Sequence, residues 1–322
     1  MKTISIIIPC FNEEENLPEL FKRLSSASKK WKYKWEVLCI DDGSFDRTSE
    51  ILQKQNKKDK RWKLISLSRN FGHQTAISCG INYAIGDAVI IIDADLQDPP
   101  EELHRFIKKW EEGYHVVYAI RKKRKENILK KLSYWIFYRL MAKLVDFDIP
   151  LDSGDFSIID RKVVNVLKSL KERNKFVRGL RSWSGFKQIG LECERHARFA
   201  GEPKYTFRKL LKLALDGILS FSAFPLKIAT YAGLIISFLS SMGLVFTLVQ
   251  RIFRDFFSKI GLAPVPGYAT IVILILFLGG IQLLFLGIIG NYISRIFDEV
   301  KARPSWVIEE MTGIKEYTNA KK

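Results

Sequence analysis

Four short runs of β-branched and other apolar residues, 4–8, 36–40, 63–67 and 88–92, punctuate the first hundred positions, and each is closed by Pro, Asp or Ser. Runs with little polar alternation read as strands buried on both faces, the habit of parallel sheets. Between them, residues 16–29, 46–56 and 74–85 carry apolar side chains at helical spacing. The order β-α-β-α-β-α-β predicts an α/β fold built on a Rossmann-like, doubly wound sheet. In such sheets ligands bind beyond the carboxyl ends of the strands. Residues 9–14, 41–44, 68–72 and 93–97 all fall there, so four polar clusters are expected along one edge.

The pattern changes after Lys227. Residues 228–250 and 260–294 contain no charged side chain, and both exceed the roughly 20 residues that cross a bilayer core. The expected organisation is a globular domain over 1–205, a juxtamembrane amphipathic helix over 206–226, a two-helix transmembrane hairpin over 227–294 and a tail over 295–322. Within the first domain, residues 120–145 pass from a basic run beginning at Arg121 to the amphipathic stretch around Trp135, a mixture suited to the headgroup region. The tryptophans and tyrosines near Trp135 and Trp306 read as interfacial anchors. No signal peptide is legible before Pro9, so the domain is expected on the cytoplasmic face, with two spans returning both ends to that side.

The net charge of +17 asks for anionic partners. With spanning segments present, lipid headgroups and phosphorylated substrates are favoured over nucleic acid. The four cysteines, Cys10, Cys39, Cys79 and Cys193, lack paired spacing, which fits a reducing compartment and no structural zinc.

Candidate chemistry concentrates in Asp93-Ala94-Asp95-Leu96-Gln97. In an extended chain these carboxylates and the amide share one side, and oxygen donors of that kind suit Mg²⁺ or Mn²⁺ bridging to phosphate. Taken by spacing alone, a solvated turn is the commoner meaning of such a motif; the position after a buried strand is what favours a site. Asp41-Asp42-Gly43-Ser44 reads either as a turn and helix cap or as a nucleoside contact. His73, His104, His115 and His196 show no ligand spacing and are assigned no chemistry.

These blocks, Ile8 through Glu13, Asp41 through Ser44, Ser68 through Gly72, Asp93 through Pro100 and Arg198 through Tyr205, resemble the GT-A glycosyltransferases of family two. The closer likeness is to the polyisoprenyl-phosphate glycosyltransferases, including bactoprenol glucosyltransferases and dolichol-phosphate mannose synthase. The resemblance implies an inverting transfer of a hexose, glucose from UDP-glucose, to undecaprenyl or dolichyl phosphate at a bacterial inner membrane. It implies that Pro9, Phe11, Glu13, Asp41, Asp42, Arg69, Asp93 and Arg121 bind the nucleotide sugar, and that Asp93, Asp95 and Gln97 hold the metal. Lys131, Arg198 and Lys204 would meet the acceptor phosphate, although Pro203 stands where the family more often has serine. A homo-oligomer, a tetramer among the options, is also implied.

Asp95 and Asp155 are the expected catalytic residues. For Asp155 two roles stay open, a base toward a monoanionic acceptor phosphate or a group that orients sugar hydroxyls, with a helix cap near Asp160 as the bland alternative. Its replacement by Asn is expected to lower turnover and leave stability little changed. A processive polysaccharide synthase is disfavoured by the small number of spans and by the lack of a Q-x-x-R-W motif. A non-catalytic basic membrane protein is disfavoured by the intact aspartates.

Overall fold

The computed structural model describes residues 2–122, 153–170, 172, 176–194 and 267–314, with scattered positions between 231 and 261. The elements are β1 (Thr3–Cys10), α1 (Leu17–Ser28), β2 (Lys34–Asp41), α2 (Thr48–Lys58), β3 (Trp62–Leu67), α3 (His73–Tyr83) and β4 (Ala88–Ile91). A 3₁₀ turn (Pro100–Glu102) leads into α4 (Leu103–Glu111), followed by β5 (Val116–Lys122), β6 (Ser153–Asp160), α5 (Arg161–Ser169), α6 (Val177–Trp183) and β7 (Gln188–Glu194). Beyond these come α7 (Arg254–Lys259), α8 (Tyr268–Val300) and β8 (Ile308–Thr312).

All seven elements expected before residue 92 form, within a few residues of the boundaries that the apolar pattern gives. The strands stand in one eight-stranded sheet, β7-β5-β6-β4-β1-β2-β3-β8. Its β3-β2-β1-β4 portion is parallel. The strands that follow make the whole sheet a mixed one: β6 runs antiparallel to both β4 and β5, and β8 antiparallel to β3.

Alternation along β1 divides the core. Ile4, Ile6, Ile8 and Cys10 are buried in one cluster with Leu17, Leu20 and Leu24 of α1, Leu52 of α2 and Phe106 of α4. Leu17, Leu20 and Leu24 follow the i, i+3, i+7 spacing of a single helix face. Truncating one of these fully buried leucines to alanine would cost about 2–5 kcal/mol. Ile7 points to the other face, where α3 comes so close that a Cβ on Gly80 would lie 2.4 Å from the Ile7 side chain. Helices therefore cover both faces, and the strand ends are left to build a site.

The chain divides into two compact units, residues 1–214 with 303–322, and residues 215–302. The segment read as a tail thus supplies β8 to the first unit. Ser68 N–H donates to the Val307 carbonyl at 3.0 Å, and Gln53 donates to Glu310 at 3.2 Å. Trp306, read as an interfacial anchor, lines a small cavity of this unit with Ile81, Leu167, Val177 and Leu180.

In the second unit, α8 begins at Tyr268, eight residues inside the charge-free stretch, and runs on to Val300. Among the described residues, Phe277–Val300 is the one helix long and apolar enough to cross a membrane. Ile275, Leu283, Leu286 and Ile293 are exposed along α8. The first charge-free stretch is described only in part, and its described positions are helical.

Candidate active site

Three loops at the carboxyl ends of β1, β2 and β3 are laced together by hydrogen bonds. Asn12, held at φ 53°, receives Phe45 N–H on its side-chain oxygen at 2.9 Å and donates its own N–H to Ser44 Oγ at 3.0 Å. Glu13 N–H reaches Thr48 Oγ1 at 2.8 Å, and the Glu13 carboxylate accepts from the Asn16 amide at 2.6 Å. Asp46 caps the start of α2 through Thr48 N–H at 3.0 Å. Gly43, at φ 71°, lies so close to the next loop that a Cβ would sit 2.5 Å from the Arg69 carbonyl carbon. Any side chain at Gly43 would push the two loops apart.

The paired aspartates differ in what they hold. Asp42 takes Phe71 N–H at 2.7 Å and Gly72 N–H at 2.9 Å, one on each oxygen. Asp41 takes Ser44 N–H on one oxygen at 3.0 Å. Both carboxyls are buried, and burial raises both pKa values against the lowering effect of these N–H groups. Asp42 therefore organises the β3–α3 loop, and Asp41 holds the turn at Ser44. The cap and binding readings of this motif are compatible.

Phe11 meets Phe45 edge to face at 6.1 Å, and the Arg69 guanidinium stacks 4.3 Å over the Phe71 ring. Pro9 is buried within β1 opposite Ile40. It lies beyond the last β1–β4 pair, where its missing N–H costs the sheet nothing. Pro9 shapes the loop from within, and Phe11 and Glu13 lie beyond the strand.

The metal motif is not extended as its spacing suggested. β4 stops at Ile91, residues 94–98 turn, and Leu96 adopts φ 58°. A left-handed non-glycine residue costs about 1–2 kcal/mol, so surrounding contacts must hold the turn. Gln97 N–H donates to Asp95 Oδ1 at 3.2 Å, which ties the two candidate ligands together. Among the described residues no three His, Cys, Asp or Glu side chains form a metal cluster of their own. Asp93, Asp95 and Gln97 are a smaller donor set of two carboxylates and an amide. Such hard oxygens fit Mg²⁺ or Mn²⁺ shared with a diphosphate.

Asp155 lies across the edge on β6, with 5% of its side chain exposed. Its Oδ1 accepts from Arg178 Nε at 2.9 Å. Its Oδ2 accepts from Arg178 Nη2 at 3.1 Å and from the Gln74 amide at 3.1 Å. His73 Nε2 stands 3.5 Å from Asp155 Oδ2 and 3.5 Å from Asp93 Oδ1. Burial would raise the Asp155 pKa, but Arg178 and His73 outweigh it and hold the carboxyl well below the ordinary carboxylate range. His73 itself is lowered by burial, then carried to about 9 by Asp93 and Asp155.

Deeper still, Arg181 is 1% exposed, donates to the Gly154 carbonyl at 3.0 Å and lies 5.2 Å from the Tyr118 ring centre. Burial lowers its pKa to about 10. An ionised, ion-paired Asp155 is a poor proton acceptor, so this geometry favours a positioning role. It also changes the expected cost of neutralising the residue. Asp160, not Asp155, caps α5 by accepting Lys162 N–H at 2.9 Å.

The site thus gathers Asp93 and Asp155, joined by His73, with Gln74 and Arg178 attached; the last three had no assigned role. His73 was legible in one respect, since it directly follows the 68–72 cluster beyond β3. Arg178 and Arg181 were not, because they lie on a short helix far along the chain. The backbone of Arg121 belongs to β5. Lys131, Arg198, Lys204 and the amphipathic stretches around Trp135 and over 206–226 lie outside the described residues.

Residues 5–167 match the model of the family described as glycosyl transferase family 2. An uncharacterised glycosyltransferase of Bacillus subtilis is 47% identical over 311 residues, 96% of this chain and 94% of its own length. A prophage-derived bactoprenol glucosyl transferase of Shigella flexneri is 39% identical over 309 residues, 95% of this chain and 97% of its own. Among solved structures, glucosyl-3-phosphoglycerate synthase from Mycobacterium tuberculosis superposes with a TM-score of 0.45 at 16% identity, over 68% of this chain and 78% of that one.

Proposed function

The chain belongs to glycosyl transferase family 2, and from that premise we propose that it moves a hexose, glucose from UDP-glucose, onto a polyisoprenyl phosphate at the cytoplasmic face of a membrane. The observation that supports this reading is the approach of Asp93 and Asp155 to His73 beyond the strand ends of one sheet, in a chain that also holds an apolar helix of spanning length. The bactoprenol glucosyl transferase that matches nearly the whole chain supports the lipid acceptor and the sugar. The two-helix anchor and a homo-oligomeric assembly belong to the same proposal.

In this reading Asp41 accepts hydrogen bonds from the nucleoside, while Phe11 and Arg69 border its pocket. Asp93, Asp95 and Gln97 would hold Mg²⁺ or Mn²⁺, whose chemistry is Lewis-acid neutralisation of the departing diphosphate. The acceptor phosphate is already anionic at neutral pH, so the protein need not generate an alkoxide. Its work is alignment and charge placement. Asp155, held ionised by Arg178, orients the sugar or the acceptor end. Arg121, Lys131, Arg198 and Lys204 supply cations for the phosphates.

Incubating the purified full chain with labelled UDP-glucose and undecaprenyl phosphate should give a single glycolipid, resolved by thin-layer chromatography and mass spectrometry. A polymer would instead point to a processive synthase. No transfer from any nucleotide sugar tested would point to a binding protein.

A further inference from the structure

His73 occupies the first position of α3, and its Nε2 lies between two carboxylates, Asp155 of β6 and Asp93 in the segment after β4, 3.5 Å from each. That distance is at the long limit of hydrogen bonding. The nitrogen stands equally far from both, with its hydrogen bond directed at Asp155 and Asp93 reached through charge. The next residue, Gln74, also reaches Asp155 and receives Val177 N–H from α6 at 3.1 Å. Resting on the metal-dependent reading above, we propose that His73 is a positioning residue that ties the metal-binding Asp93 to Asp155, so that the diphosphate end and the acceptor end of the site are held in one register.

The surrounding contacts separate this role from a structural one. Asp155 keeps two hydrogen bonds from Arg178 and one from Gln74 whether or not His73 is present. Removing the imidazole should thus leave the β6–α6 corner intact. What changes is the orientation of Asp93, which β4 delivers at the very point where regular strand geometry has ended. Groups that orient a metal ligand from behind typically change metal affinity or activity about 10–100-fold when removed. The side chain of His73 is also 35% exposed, so a smaller replacement leaves a water-filled gap in place of an apolar void.

The test compares His73→Ala with His73→Gln in the full chain, solubilised in detergent. Mn²⁺ binding is read by electron paramagnetic resonance on the protein with Mn²⁺ alone, and kcat and KM are read with donor and acceptor. The expected result for His73→Ala is at least a tenfold weaker Mn²⁺ affinity and a tenfold lower kcat, with little change in donor KM and, above about pH 9, where the imidazole has lost its proton, a melting temperature within about 2 °C of wild type. His73→Gln, which keeps an N–H donor, should recover a substantial part of both losses.

Wild-type Mn²⁺ affinity and kcat in His73→Ala overturn the inference, as does a large fall in melting temperature in that same pH range that His73→Gln fails to relieve. Asp95→Ala serves as the control. If Asp95→Ala and wild type are equally active and neither binds Mn²⁺, the metal reading itself is wrong and the inference falls with it. If Asp95→Ala loses Mn²⁺ while both His73 variants retain it, only the inference falls.

Discussion

Replacing Asp155 by Asn removes one charge and almost no volume, so it isolates the electrostatics of the deepest part of the site. In the native arrangement Arg178 grips both carboxylate oxygens, at 2.9 and 3.1 Å. Two opposite charges about 4 Å apart attract by about 4 kcal/mol at an effective dielectric constant of about 20. Breaking a buried pair by removing one partner costs about 3–5 kcal/mol. Arg178 keeps 23% of its side chain exposed, and the Asn amide retains one acceptor oxygen, so water and the amide recover part of that cost. A net loss of about 2–3 kcal/mol follows. At about 2–4 °C per kcal/mol for a domain of this size, the melting temperature should fall by roughly 4–12 °C, read by scanning fluorimetry on the detergent-solubilised chain. Turnover should fall about 100-fold, because the orienting charge is gone. In a double-mutant cycle with Arg178→Gln the coupling should reach at least about 1.5 kcal/mol. An Asp155→Asn protein that melts within about 1 °C of wild type, with zero coupling to Arg178, would refute the account of this corner.

Three further expectations follow. Asp95→Ala should abolish transfer, with Asp93→Ala close behind, and chelation by EDTA should reproduce both; full activity after exhaustive chelation would remove the metal from the mechanism. Gly43→Ala must hold φ 71° and place a methyl 2.5 Å from the Arg69 backbone, so it should cost roughly 2–4 kcal/mol and raise the donor KM, whereas wild-type melting and KM would show that the loops yield freely. His73 has a folded pKa raised to about 9 from an unfolded value of about 6.5, so its contribution to stability is complete below about pH 6.5 and is lost as pH rises through about 9; a melting temperature that falls over this window as steeply in His73→Gln as in wild type would assign the pH dependence to other groups.

The first four strands and three helices were legible because their burial is written in unbroken apolar runs and helical spacing. β6 was hidden for the opposite reason. Its Asp155 and Ser157 point into buried polar surroundings, where Ser157 donates to the Asp155 carbonyl at 2.8 Å, and they interrupt the apolar signature of an interior strand. β8, with Glu309, Glu310 and Thr312, carries the composition of an exposed edge. Nothing local marks its partner as β3, more than two hundred residues earlier. At the site, carboxylates next to strand ends could be found by position. The union of His73, Asp93, Asp155 and Arg178 could not, since it depends on the antiparallel placement of β6 beside β4. Spacing also misled once, where the turn at Leu96 replaced the extended backbone that the Asp93–Gln97 pattern assumed.

The pairing of β8 with β3 sets an order of events for a chain made from its N-terminus. When the ribosome has released Leu67, the β3 edge has no neighbour on its outer side, and the strand that will cover it follows the whole apolar unit. At about 5–20 residues per second, the interval from Leu67 to Ile308 is on the order of ten to fifty seconds. During it an unpaired edge is available to other chains. The sheet becomes complete only after the apolar helix has left the ribosome, so closure of the catalytic unit comes after synthesis of the segment that would anchor it. A molecule whose apolar unit is misdirected would also lack the strand that covers Leu64 through Leu67 of β3.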